Sequence, residues 1–261
     1  MSLHGSCRRV VGVARRSEVA QQALDMGIVD AASTDLRAVA EADIVVLATP
    51  VRHILATIPE LAAVMRPGAL LLDLGSTKSQ VVAAMNALPV ALAAVGGHPM
   101  CGKETGGLES ADANLYRGAT FVLMPTERTT DAAMLLAHEM VEAIGAVPLV
   151  MDAERHDRAV ASVSHLPYLL AASLMHVGIE AEATDVATGR LAASGFRDTT
   201  RLAASSLDMM LDTLLTNREP LLAALDIFEE KIAQVRGLLD DPVGLKAWMA
   251  EAQCRRREMF R

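Results

Sequence analysis

A change of texture near residue 151 constrains this chain more than any other feature. Before it, short apolar runs recur with amphipathic segments between them. Arg9–Val13, Ile44–Ala48, Leu70–Asp73, Val90–Gly96, Thr120–Met124 and Ala146–Met151 read as strands. They are rich in Leu and β-branched residues and do not alternate strictly, as expected of strands covered on both faces. Ser17–Met26, Val51–Met65, Ser76–Leu88 and Thr130–Ile144 carry a helical repeat, and Pro67-Gly68 and Gly145 supply stops. Strands alternating with helices predict an α/β, doubly wound sheet over residues 1–151. From Asp152 the strand signal vanishes and helical periodicity runs to the end, broken near Ala193-Ser194-Gly195 and Asp240-Asp241-Pro242. That predicts a separate all-α domain over residues 152–261.

Composition narrows the function classes. Apolar residues make up 52% of the 261 and charged residues 21%, which excludes a disordered chain. With one Trp, two Tyr and four Phe, the core must come from Ala, Leu, Val and Met. The 24 basic and 32 acidic residues leave a charge of −8, opposite to the balance of a nucleic-acid binder. Cys7, Cys101 and Cys254 cannot build a disulfide framework, so a reducing cytoplasm is expected. Ile44–Val51, Leu88–Gly97 and Leu166–Met175 stop near half of the ~18–20 residues a membrane span needs, so no membrane association is expected. Arg8 and Arg9 are not followed by the apolar region of a signal peptide. Arg255-Arg256-Arg257 complements the dipole at the end of the last helix.

A sheet of this kind suggests a nucleotide ligand, yet the G-x-G-x-x-G turn that would prove a dinucleotide site is not in the sequence. Arg9–Val13 runs instead into Ala14-Arg15-Arg16. This resembles the end of the second strand of a Rossmann unit, where an acidic residue would hold a ribose 2′-hydroxyl. Arg15 and Arg16 stand there and suit a 2′-phosphate through charge-assisted contacts, which favours NADP, with NAD as the alternative. The plain reading of the pair is a solvated loop. Three further turns place small or polar residues at the carboxyl ends of strands, where open α/β sheets bind ligands. These are Thr49-Pro50-Val51, Gly75-Ser76-Thr77-Lys78 and Gly97-His98-Pro99. Thr49, Pro50 and Ser76 are therefore candidate cofactor contacts. The second turn lacks the upstream Gly of a nucleoside-triphosphate loop.

Four segments occur in order: Asp73-Leu74-Gly75-Ser76-Thr77-Lys78, then Gly97-His98-Pro99-Met100-Cys101-Gly102-Lys103-Glu104, Ser164-His165-Leu166-Pro167, and Gly195-Phe196-Arg197-Asp198-Thr199-Thr200-Arg201. Together they resemble the prephenate/arogenate dehydrogenase family of tyrosine biosynthesis, across essentially the whole chain. The resemblance implies a Rossmann-like domain followed by a helical substrate and dimerisation domain. It implies hydride transfer from a cyclohexadienol to a nicotinamide cofactor with loss of carbon dioxide, and a homodimer through the helical half. It also implies roles. His98 would polarise the ring hydroxyl with Ser76 beside it, and Arg201 would bind the substrate carboxylate. Glu104 and Asp198 would flank the pocket entrance, and His165 would line it. Tyr168 stands where some members carry a second histidine, and can still donate a hydrogen bond to substrate.

The chemistry is coherent: a neutral imidazole can take the hydroxyl proton, and a guanidinium can grip a carboxylate in two places. Plainer roles compete. Ser76 also reads as the N-cap of its helix, Arg201 as a surface partner of Asp198, and Cys101 as a small buried hydrophobe. His156 and His165, nine apart, fit no compact metal pair, so no metal is expected. The family pattern further implies that a first strand, glycine turn and helix should precede Cys7. Without them the dehydrogenase activity of the chain is in question, and the alternative is a cofactor-free substrate-binding and dimerisation remnant. A 3-hydroxyacid dehydrogenase would want a lysine in the helical half, where only Lys231 and Lys246 stand, far downstream.

Overall fold

The computed structural model describes residues 7–103 and 106–260. Strand β1 (Val11–Val13) pairs in parallel with β2 (Ala31–Ser33). Strands β3 (Ile44–Leu47), β4 (Leu70–Asp73), β5 (Ala93–Pro99), β6 (Thr120–Pro125) and β7 (Val147–Val150) form a second sheet in that order. β3, β4 and β5 run parallel, β6 antiparallel to β5, and β7 parallel to β6. Among the described residues, β1 and β3 each keep one edge unpaired.

Helices α1 (Ser17–Asp25), α2 (Val51–Ala62), α3 (Ser79–Asn86) and α4 (Asp131–Ala143) lie between strands. The pleat of β4 explains the layering, since successive side chains point to opposite faces. Leu71 joins Val45, Ala94 and the apolar stripes of α2 and α3, including Ile54, Ile58, Leu61, Val81 and Met85. Leu70 and Leu72 join Val95, Phe121 and Leu123 under α4, against Ala133, Ala137 and Val141. Helices thus cover both faces, and the sheet is doubly wound.

Several boundaries depart from the sequence reading. β2 is built from Ala-Ala-Ser and carries no strand signal of its own. β5 runs to Pro99 rather than ending at Gly96, because antiparallel pairing with β6 carries the ladder through His98↔Val122 and Pro99↔Phe121. Val90, expected in this strand, is exposed before it. α3 starts at Ser79, so Ser76 is not its N-cap.

The remaining chain is helical: α5 (Ala153–Val160), a π-helical turn (Ala161–His165), α6 (Leu166–Thr184), α7 (Ala187–Leu191), α8 (Ser194–Thr200), α9 (Leu207–Thr216), α10 (Arg218–Leu238) and α11 (Pro242–Met259). Pro167 accounts for the π turn, since it has no N–H for the preceding turn and its ring crowds the carbonyl four residues back. The result is one continuous helical rod of 32 residues, Ala153–Thr184. By length and composition alone it could cross a membrane, which corrects the expectation that no segment approaches such a length. Short apolar runs hid it, because polar residues such as His165, His176 and Glu180 interrupt the apolar stretches while the helix runs on.

Candidate active site

The site grows from the carboxyl end of β4. Three leucines of that strand are followed by Asp73, which is fully buried together with Lys78. The two side chains form an ion pair. Burial is the largest influence on Lys78 and lowers its pKa, with Asp73 and Asp157 pulling the other way. The pair holds the backbone just ahead of His98. Asp73 accepts from Gly97 N–H at 3.1 Å, and Lys78 Nζ donates to the Gly97 carbonyl at 2.8 Å. Gly75 N–H donates to the other Asp73 oxygen at 2.8 Å. Only glycine fits at 97, because a side chain would run into the Asp73 carbonyl and lie 3.0 Å from the Phe121 ring.

His98 is therefore fixed by its backbone, and its ring is fixed by a second histidine. His98 Nδ1 lies 2.8 Å from His156 Nε2, with the rings edge to face. His156 Nδ1 lies 2.9 Å from Asp157 Oδ1. Asp157 also accepts from the N–H groups of Lys78 and Ser79, at 2.8 and 2.7 Å. Burial raises the pKa of its carboxyl, but hydrogen bonds from His156, Ser79 and Lys78 outweigh this and leave it below the usual value. An ionised Asp157 accepts a hydrogen bond from the Nδ1–H of His156. His156 Nε2 then accepts the Nδ1–H of His98, and His98 Nε2 is left with its lone pair. His98 is held in the neutral form, its pKa well below 6.5, chiefly by burial and then by the Lys78 ammonium, with His156 and His165 acting in the same direction and Asp157 against it.

The chain of contacts continues to His165. Asn217, buried at the junction of α9 and α10, donates from Nδ2 to the Asp157 carbonyl at 2.8 Å and lies 3.0 Å from His165 Nδ1. Burial lowers the His165 pKa to about 4, assisted by His156 and opposed by Asp157. His98 and His165, named from separate motifs, thus belong to one network.

The other sequence candidates are placed as follows. Ser76 is partly buried between Gly75 and Thr77, and Thr77 Oγ1 meets Thr216 Oγ1 at 2.7 Å. Among the described residues no hydrogen bond joins Ser76 to His98. Tyr168 lies in the first turn of α6, partly buried. Asp198, exposed on α8, is ion-paired with Arg197 at 3.1 Å. Arg201 opens the short turn that follows α8 and packs on α6. Glu104 lies outside the described residues. Arg15 and Arg16 are exposed where β1 leads into α1, and Thr49 and Pro50 are exposed where β3 leads into α2. Among the described residues, no hydrogen bond joins Arg15, Arg16, Thr49, Pro50 or Tyr168 to this network. Cys101 is partly buried.

Sequence reasoning missed Lys78, Asp73, His156, Asp157 and Asn217 as site residues. His156 was weighed only as a metal partner of His165, whereas the structure bonds it to His98 and Asp157. A signal was present: α5 turns His156 and Asp157 inward with Val160, so a helix face that should be apolar carries two ionisable groups.

Two family models divide the chain. Residues 2–150 match prephenate dehydrogenase, nucleotide-binding domain, and residues 152–250 match prephenate dehydrogenase, dimerization domain. The chain is 35% identical over 232 residues to a prephenate dehydrogenase of Bacillus subtilis, covering 88% of this chain and 62% of that protein. It is 32% identical over 219 residues to a cyclohexadienyl dehydrogenase of Zymomonas mobilis, covering 82% and 73%. It spans about three fifths of the Bacillus relative's length. Among solved structures, prephenate dehydrogenase from A. aeolicus in complex with hydroxyphenyl propionate and NAD+ superposes with a TM-score of 0.91 at 30% identity, covering 98% of this chain and 92% of that one. Synechocystis arogenate dehydrogenase gives a TM-score of 0.85 at 27% identity, covering 98% and 93%. By its two family models and its relatives, the chain belongs to the prephenate dehydrogenase family.

Proposed function

We propose that this chain catalyses the oxidative decarboxylation of prephenate or arogenate in tyrosine biosynthesis, working as a cytoplasmic homodimer with NADP preferred over NAD. The observation that carries the reading is the Asp157–His156–His98 chain, which leaves one imidazole nitrogen as a bare acceptor. In this reading His98 Nε2 takes the ring-hydroxyl proton. The imidazolium then formed donates through Nδ1 to His156, which Asp157 holds in place. Ser76 touches the same hydroxyl. Arg201 grips the substrate carboxylate, with His165, Tyr168, Asp198 and Glu104 lining the rest of the pocket.

Exposed Arg15 and Arg16 at the end of β1 fit a 2′-phosphate, and exposed Thr49 and Pro50, with Ser76, fit the remainder of a dinucleotide at the carboxyl ends of strands. When bound, the oxidised nicotinamide supplies the hydride acceptor. In this reading residues 1–151 form the dinucleotide-binding half and residues 152–261 the substrate and dimerisation half, with His98, Ser76 and Glu104 reaching the substrate from the first.

A second reading, a cofactor-free substrate-binding and dimerisation module, is favoured by one observation: β1–β2 and β3–β7 form separate sheets. Titration with NADP and NAD, followed by assays with both substrates, decides between them. Micromolar NADP binding with turnover supports the dehydrogenase. Substrate binding without measurable dinucleotide affinity supports the module. Replacing both Arg15 and Arg16 with Ala should weaken NADP and spare NAD.

A further inference from the structure

Asn217 belongs to no motif, yet it touches both arms of the network. Its Nδ2 has two hydrogens. One goes to the Asp157 carbonyl, which can only accept, and this fixes which end of the amide faces that way. The other faces His165 Nδ1 at 3.0 Å. A ring N–H cannot donate to an amide nitrogen that is itself donating, so His165 Nδ1 must be the acceptor. His165 then carries its single proton on Nε2. His98 and His165 are therefore held in opposite forms: His98 offers a lone pair at Nε2, and His165 offers an N–H at Nε2.

We propose that Asn217 is a positioning residue that sets the tautomer of His165 and makes that ring a hydrogen-bond donor to an oxygen of the bound acid. The inference rests on the reading of His165 as a substrate contact. Asn217 acts through His165 and does not touch the reacting atoms. The titratable groups bearing on His165 are Asp157 and His156 from α5 and His98 from β5. Lys78 stands behind Asp157, and Arg201 opens the turn packed on α6.

The test begins with the unaltered 261-residue chain. Ring-nitrogen NMR of 15N-histidine-labelled protein should show His165 neutral, with Nδ1 bare and Nε2 protonated. Nδ1 found protonated near neutral pH overturns the proposal, and needs no variant to do so. Asn217→Asp keeps the shape but puts a carboxylate at Nδ1. His165 should then carry a proton on Nδ1, and its titration midpoint should rise by roughly one to three pH units, as for a group facing an opposite charge.

The Michaelis constant gives a readout that a purely structural role would not move. Below the new midpoint both ring nitrogens are protonated and the donor persists. Above it the remaining proton stays at Nδ1 beside the carboxylate, and the Michaelis constant should climb roughly 10- to 100-fold while turnover changes little. The unaltered chain should show no such rise over the same pH range. An unchanged tautomer and midpoint in Asn217→Asp would sink the idea. Turnover absent from every variant, with the expected ring spectra, would count against the dehydrogenase reading and leave the tautomer assignment standing.

Discussion

His98 is where the residue-level argument can fail most clearly. General-base help is worth roughly 10²–10⁴-fold, so His98→Ala should lower turnover by that much while substrate still binds. Its pKa lies below 6.5 because of burial first and the Lys78 ammonium next. A base must be neutral to work, so the acid limb of kcat/KM should fall below pH 6.5, and a limb at or above 6.5 would show that another group is titrating. Arg201 makes a different demand. A carboxylate contact present in both ground and transition states should appear mainly in the Michaelis constant, by a hundredfold or more for a bidentate pair at about 1.4 kcal/mol per tenfold. Arg201→Ala with an unchanged Michaelis constant and an intact fold would remove it from the site. His98 and His165, which the structure brings into one network, were legible because each sits in a short run whose order along the chain is distinctive. His156 was not, since its partner lies 58 residues away and nothing local announces that contact.

Helix α3 shows the same limit for a whole element. Its start was placed at Ser76 because a serine before a helical repeat is a good cap. The cap comes instead from Asp157, whose two oxygens accept from Lys78 and Ser79, 79 and 78 residues away in sequence. Helix α2 is treated alike: Pro50 cannot cap it, and Asp212 of α9 accepts from Arg52 N–H at 3.2 Å. Two helices of the α/β half thus borrow their N-terminal acceptors from the helical half. The strands, the helix repeats and the switch near residue 151 could be read because hydrophobic periodicity is local. The caps could not, because they exist only once the halves pack. Asp212→Ala should cost about 1 kcal/mol, the usual worth of a cap. The ion pair to solvent-exposed Arg52 adds little. Melting should fall by about 2–4 °C for a chain of this size. No change would mean that water replaces the carboxylate at no cost.

The whole molecule carries two further consequences of this packing. Val163, Val177, Ile179, Leu191, Leu211, Leu215, Ile227 and Ile232 are exposed on the helical half, a larger apolar display than scattered surface residues explain. Light scattering should therefore report a dimer, and Ile227→Glu combined with Ile232→Glu should shift it toward monomer. The second consequence is a graded loss of stability in acid. His165 titrates at about 4 in the folded chain against 6.5 in an unstructured one, and His98 is lowered too, both chiefly by burial. Between those values the unfolded chain binds protons that the folded chain refuses, so stability rises with pH across the window. It is fully present above pH 6.5 and lost as pH falls toward 4, each histidine contributing up to about 1.4 kcal/mol per pH unit. For His165 alone the loss by pH 4 is about 3 kcal/mol. Asp157, its pKa depressed, adds a further loss only once the pH drops below the ordinary carboxylate range near 3.8. Urea unfolding at pH 7.5, 6, 5 and 4.5 should trace this slope, and His165→Asn should flatten it by the share of one proton. A slope that appears only below pH 4 would mean that the two histidines are not buried as neutral rings, and that carboxylates alone govern how this chain fails in acid.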